Sequence, residues 1–225
     1  MARPRLYQTP EEHTRARAAR NQRYYALKKE RQIFPPLPPG PYRVLYADPP
    51  WKYGSTDPFF HGHAKNHYPP LSIAEICALP VKRLVGKSAV LFLWVTSPIL
   101  PECFPVLKAW GFTYKASLVW DKTVPIYGYY VGTQHEFLLV STRGSCKPDI
   151  QALPPSLHRI PRDTKHSAKP AEMRMLIDAL YPEGRRLELF ARTRAEGWDA
   201  WGNEVALAST PSEPLSTRKV HPRST

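Results

Sequence analysis

Apolar positions along the chain fall into short, near-continuous runs separated by amphipathic stretches of helical period. The runs Arg43–Asp48, Ser88–Thr96, Tyr114–Trp120, Glu136–Ser141 and Arg186–Phe190 are strand-length and rich in branched and aromatic side chains, so they predict strands. The stretches Ser72–Leu79, Pro101–Trp110 and Ala171–Leu180 predict helices. Ser72 with Glu75 three residues on makes a capping box for the first, and Gly111 stops the second. Strands apolar on both faces, alternating with helices, predict an α/β fold. Its sheet is mostly parallel and doubly wound, with helices on both faces. Two long segments interrupt the alternation, Lys52–Pro70 and Gly144–Pro170. Loops of that length usually serve as lids or binding loops.

The ends read differently. Thr9-Pro10-Glu11-Glu12 announces a helix running to about Arg31. Its apolar stripe is thin and its arginines, Arg20 and Arg23 among them, are many. It is either a phosphate-tracking arm or a solvated, flexible one. Phe34-Pro35-Pro36-Leu37-Pro38-Pro39-Gly40-Pro41 predicts an extended spacer. Residues 209–225, rich in Ser, Thr, Pro, Lys and Arg, predict a disordered tail. The expected division is thus an arm and linker at 1–41, a folded domain at 42–208 and the tail.

Charge narrows the function. Among 225 residues, 32 Lys plus Arg against 19 Asp plus Glu leave a net charge of +13, which favours a polyanionic partner, most simply nucleic acid. The three cysteines, Cys77, Cys103 and Cys146, have no paired spacing. That argues against a disulfide framework or structural zinc and for a reducing compartment. No apolar run approaches the ~20 residues a membrane span needs, and the arginine-rich start lacks a signal core. His61, His63 and His67 lie close together, but only Asp57 accompanies them, so a metal site is not expected.

The most informative residues are Asp48-Pro49-Pro50-Trp51, at the end of the first predicted strand. Alkylating an exocyclic amine on a flat base takes an acceptor for the amine hydrogens, carbonyls held at fixed angles and an aromatic face. A carboxylate, two prolines and an indole supply these. Trp51, Tyr53 and Tyr68 are available to stack on a base taken out of its helix. Lys147, Arg159, Arg162 and Lys165 in the second long loop are candidates for following phosphates; solvated loop charge is the alternative.

A second block runs from Glu188-Leu189-Phe190-Ala191-Arg192 to Trp201-Gly202-Asn203-Glu204. Its layout is strand, turn and second strand, with an acidic residue at the second strand's end. That is the layout of a ribose-binding site, though a terminal β-hairpin fits it equally. The glycine fingerprint for a pyrophosphate is missing. S-adenosylmethionine, which has a ribose and no pyrophosphate, tolerates that loss.

Taken in order with Tyr68-Pro69-Pro70-Leu71-Ser72, Leu91-Phe92-Leu93-Trp94-Val95, Trp110-Gly111-Phe112, Gln134-His135-Glu136 and His166-Ser167-Ala168-Lys169-Pro170, these blocks resemble the MT-A70 family of adenine-N6 methyltransferases from about Tyr42 to Glu204. The resemblance implies a Rossmann-like, S-adenosylmethionine-dependent enzyme. Asp48 and the Pro49 carbonyl would accept hydrogen bonds from the adenine amine. Trp51 would wall the base and Tyr68 would help hold it. Lys169 would pair with the cofactor's methionine carboxylate. Glu188, Phe190, Arg192, Asn203 and Glu204 would form the cofactor motif, with Arg192 near the ribose and the last two on its hydroxyls. Thr193-Arg194-Ala195-Glu196 departs from the family's usual small or amide residues.

DNA is the expected substrate, RNA the alternative. A third reading is a non-catalytic, nucleic-acid-binding subunit, though such subunits tend to lose the tetrapeptide kept here. A dimer, with itself or with a paralogous subunit, is compatible with the sequence. The compactness of the chain suggests a prokaryotic or phage enzyme working in the cytoplasm, or in the nucleus if eukaryotic.

Overall fold

The computed structural model describes residues 9, 14–15, 34–53, 70–127, 130–162 and 168–208. The predicted tail lies outside them, as does most of the predicted N-terminal helix.

Seven strands among the described residues form one sheet in the order β5-β3-β4-β2-β1-β6-β7. They are β1 (Tyr42–Ala47), β2 (Val85–Val95), β3 (Thr113–Tyr127), β4 (Gly132–Arg143), β5 (Leu157–Arg159), β6 (Arg186–Leu189) and β7 (Asp199–Trp201). β1 is parallel to β2 and β6, β6 to β7, and β3 to β5. β4 alone runs against its neighbours β2 and β3. The helices are α1 (Ile73–Ala78), α2 (Phe104–Trp110), α3 (Ala171–Leu180) and the short α4 (Asn203–Ala208).

Alternation along β1 sends its side chains into two cores. Leu45 and Ala47 pack with Ile76 of α1 and with Val106, Leu107 and Trp110 of α2. Val44 and Tyr46 pack on the other face with Met173, Ile177 and Leu180 of α3. Each fully buried side chain of this size contributes about 1.5–3 kcal/mol. The helix signals are realised as predicted: Ser72 and Glu75 form both halves of a capping box, and Gly111 caps α2 at φ +80°.

Several elements differ from the sequence expectation. β3 and β4 extend well past Trp120 and upstream of Glu136, because the polar residues that interrupt the apolar pattern pair across the strands. Lys122 forms an ion pair with Glu136, and Gln134 donates to Asp121 at 2.8 Å. The second long segment contains an edge strand, β5, held by the Val119 N–H on the Ser156 carbonyl at 2.7 Å. β6 and β7 are parallel, not a hairpin, and Asn203 and Glu204 open α4 instead of ending a strand. Segment 34–41 has neither helix nor strand, yet Phe34 and Leu37 pack on the core. The Trp201 indole donates to the Pro35 carbonyl at 2.7 Å, and Arg185 donates to that of Pro39 at 3.1 Å. No helix among the described residues is long and apolar enough to cross a membrane.

Candidate active site

The site lies at the carboxyl edge of β1 and β6. β1 has β2 on one side and β6 on the other, so strand order reverses here, and crevices of open α/β sheets form at such points. On the α3 face, Tyr46 of β1, Trp94 of β2 and Trp120 of β3 make an aromatic layer in one core. The Trp94 indole donates to the Tyr46 hydroxyl at 2.7 Å. With a two-residue period, the next side chain on that face is Asp48 after Tyr46, Thr96 after Trp94 and Lys122 after Trp120. On antiparallel β4, Glu136 stands opposite Trp120.

Polar groups therefore form a row on an aromatic floor. Lys169, just before α3, completes it. Its ammonium lies 3.1 Å from Asp48 Oδ1, 3.0 Å from Glu136 Oε2 and 5.4 Å from the centre of the Trp94 ring. Lys122 takes the other Glu136 oxygen and sits 5.1 Å from the Trp120 ring centre. Charges alternate along the row: Lys122, Glu136, Lys169, Asp48. The first three side chains are only 11–12% exposed, against 27% for Asp48, so Asp48 is the member that opens outward.

Burial works against the charged form at each position, and the neighbours decide the outcome. For Lys169, burial is outweighed by Asp48 and Glu136, which lift its pKa well above the lysine range. For Glu136, burial is outweighed by Lys169 and Lys122, so its carboxyl titrates below the usual value. For Asp48, burial prevails over the attraction of Lys169, Glu136 adds repulsion, and the carboxyl titrates above the usual value.

The backbone after Asp48 is pinned. The Trp51 N–H donates to the Pro49 carbonyl at 2.8 Å, leaving that oxygen a second lone pair. The Leu71 N–H donates to the Pro50 carbonyl at 2.7 Å, and the Trp51 indole donates to the Trp94 carbonyl at 3.0 Å. The Tyr53 and Thr96 hydroxyls are 3.0 Å apart.

Asp48 shares a cleft with Phe34, Pro50, Phe190, Arg192, Asn203 and Glu204. Phe190 turns off β6 in the left-handed region at φ +62°. Phe34 stacks on Trp201 (4.7 Å between ring centres, 19° between planes) and meets Phe190 edge-on at 5.7 Å. Gly202 allows the close approach that brings α4 to this cleft, since a Cβ there would lie 2.1 Å from the Ala191 carbonyl oxygen. Arg192 Nε is 3.4 Å from Glu204.

Residues 42–204 match the family model MT-A70. The chain belongs to the MT-A70 family. It is 34% identical over 192 residues to the Type II methyltransferase M.MunI of Mycoplasma sp., a match covering 77% of this chain and 82% of that protein. It is 30% identical over 186 residues to the human N(6)-adenine-specific methyltransferase METTL4, covering 72% of this chain and 37% of METTL4. With human METTL3, an N(6)-adenosine-methyltransferase catalytic subunit, it shares 27% over 177 residues, covering 74% of this chain and 28% of METTL3. The chain thus spans most of the first relative and under two fifths of these two human ones.

In this MT-A70 member the two sequence blocks meet: Asp48, Pro50, Phe190, Arg192, Asn203 and Glu204 line one cleft. Other predicted site residues lie elsewhere. Trp51 is buried, its indole anchored in the core. Glu188 points to the α3 face, where it pairs with Arg174. Lys169 sits on Asp48 and Glu136. Lys147 and Arg162 are exposed, and Arg159, also exposed, holds Asp121 at 2.9 Å. Tyr68, Lys165, Arg20, Arg23 and the histidines at 61, 63 and 67 lie outside the described residues. The sequence reading missed two residues, Phe34 and Lys122. Phe34 is the one large aromatic in the proline-rich segment. Lys122 follows the end of an apolar run at the pleat position that faces Glu136.

Proposed function

We propose that the chain transfers a methyl group from S-adenosylmethionine to the N6 amine of adenine in DNA. The observation that carries this reading is the cleft that joins the Asp48 carboxylate to the residues ending β6 and opening α4. Their chemistry fits the donor. Phe34 and Phe190 offer aromatic surface for a purine. Asn203 and Glu204, with Arg192 beside them, offer partners for ribose hydroxyls. The Lys169 ammonium has a third N–H, beyond those facing Asp48 and Glu136, for a carboxylate. S-adenosylmethionine, when bound, supplies an electrophilic methyl carbon on a sulfonium.

The rest is positioning. The adenine amine is a poor nucleophile because its lone pair is delocalised into the ring. Asp48 and the Pro49 carbonyl accept its two N–H groups and favour the geometry that frees the lone pair. With its lone pair freed, the amine would be the nucleophile toward the methyl group that the donor would supply, and its surplus proton would pass to water. Holding the reactants in line in a partly dry cleft is worth effective molarities on the order of 10⁵ M or more. Lys169 opposes the burial that raises the Asp48 pKa, and so favours the ionised, accepting form.

The preference for DNA is supported by the likeness to the Type II methyltransferase M.MunI, at 34% identity over 82% of that protein. The net charge of +13 suits either polyanion. Transfer of labelled methyl to matched DNA and RNA oligonucleotides decides: label in N6-methyladenine of DNA is expected, and label confined to RNA overturns the substrate assignment. We place the enzyme in the cytoplasm of a prokaryotic or phage-infected cell, or in the nucleus if the cell is eukaryotic, with nucleic acid as partner.

A further inference from the structure

Lys122 is a buried ammonium that the reading above leaves without a role. It stands at the end of the regular β3–β4 register, which holds through Asp121↔His135 and shifts before Ile126↔Thr133. The shift begins at Thr123, whose φ of +67° is unusual for a branched residue and whose N–H donates to Asp121 Oδ1 at 2.8 Å. The bulge lets Lys122 keep the inward face it shares with Trp120 while the hairpin beyond it changes course. Its ammonium then meets one Glu136 oxygen, Oε1, and the Lys169 ammonium meets the other, Oε2.

We propose that Lys122 is a positioning residue for methyl transfer: it fixes Glu136 so that Glu136 in turn holds the Lys169 ammonium against Asp48. Without Lys122 the row holds two carboxylates and one ammonium, a net negative charge on an apolar floor. A buried site relieves that charge by taking up a proton. The proton goes to Asp48 or Glu136, and either way Asp48 loses its fixed, ionised geometry. Other charged or titratable groups face the pair. Arg192 and Glu188 act on Asp48, Arg174 holds Glu188, and the Tyr46 and Tyr53 hydroxyls border the row. None of them touches Glu136 in place of Lys122 among the described residues.

The test uses Lys122→Met, which keeps the length and removes the charge, Lys122→Gln as a polar neutral replacement should the first not fold, and Lys122→Arg as the conservative variant. kcat and KM for a DNA oligonucleotide are measured from pH 5.5 to 9, and the carboxyl carbons of Asp48 and Glu136 are titrated by NMR in protein free of nucleic acid and methyl donor. The acid limb of kcat should move up by at least about one pH unit, the size given by one lost charge ~10 Å away at an effective dielectric of about 20, and by more the nearer the charge lies. Activity should then be at least about tenfold low on that acid limb and recover toward pH 9, with KM little changed and Lys122→Arg close to wild type. At least one of the two carboxyls should titrate at higher pH in the neutral variants. Superposable pH profiles, a loss equal at every pH, or unchanged carboxyl titrations would overturn the proposal. The kinetic arm rests on the methyl-transfer reading. A wild type without methyl transfer refutes that reading alone, while the carboxyl titration still decides the role of Lys122.

Discussion

Lys169→Met removes the central ammonium of the charge row and keeps its apolar stem. The two carboxylates that it separates, 3.1 and 3.0 Å from its nitrogen, then face each other with Lys122 alone between charge and apolar floor. All four side chains are less than a third exposed, so water screens the loss poorly. Removing one partner of a buried pair costs about 3–5 kcal/mol. For a chain of this size that corresponds to a fall in Tm on the order of 10 °C. The sign of the pH dependence follows from linkage. In the wild type, the raised pKa of Lys169 makes its contribution complete below the ordinary lysine range, so it is constant from pH 5 to 9. The lowered pKa of Glu136 makes its contribution complete above the ordinary glutamate range and lost only on further acidification. In the variant, both carboxyls bind protons more tightly folded than unfolded, so stability should fall as pH rises from 5 to 8. Urea denaturation of both proteins at pH 5 and pH 8 measures this. The difference should be small at pH 5 and approach the full cost at pH 8. A difference of the same size at both pH values, or none, refutes the reasoning.

Phe34→Ala removes a face-to-face contact with Trp201 and an edge contact with Phe190, each worth about 0.5–1.5 kcal/mol. The dissociation constant for S-adenosylmethionine, measured by calorimetry, should rise about tenfold, and an unchanged constant removes Phe34 from the cofactor cleft. Gly202→Ala places a Cβ 2.1 Å from the Ala191 carbonyl oxygen, a backbone contact that no rotamer relieves. It should cost about 3 kcal/mol in urea denaturation and weaken cofactor binding by displacing Asn203 and Glu204. Native stability with native binding would show that the β7–α4 junction yields to the added methyl group.

Local rules made much of the fold readable. The capping box at Ser72, the glycine stop at Gly111 and the apolar face of Ala171–Leu180 each act over a few residues, and each appears where the sequence put it. The tetrapeptide and the Arg192–Glu204 block were also legible, because strand ends in such sheets converge at one edge. Three features depend on partners distant in sequence. β3 and β4 run on through Asp121, Lys122 and Gln134 because those side chains pair across the ladder, which apolar periodicity does not register. Phe34 lies in a segment whose prolines rule out helix and strand without preventing side-chain packing. The role of Glu136 emerges only when α3 carries Lys169 onto it. Thr123, left-handed without being glycine, gave no local signal of the bulge it makes.

In the proposed reaction Asp48 is the group that holds the adenine amine. Asp48→Ala leaves Lys169 paired with Glu136 and leaves the other cleft residues in place, so the variant should fold and bind S-adenosylmethionine within a few-fold of wild type. Incorporation of labelled methyl into N6-methyladenine of a DNA oligonucleotide, read at saturating methyl donor, is the direct measurement. The wild type should transfer the label, and Asp48→Ala should fall by about a hundredfold or more, as when a single transition-state hydrogen-bonding group is removed. An Asp48→Ala protein that methylates adenine at the wild-type rate contradicts the account.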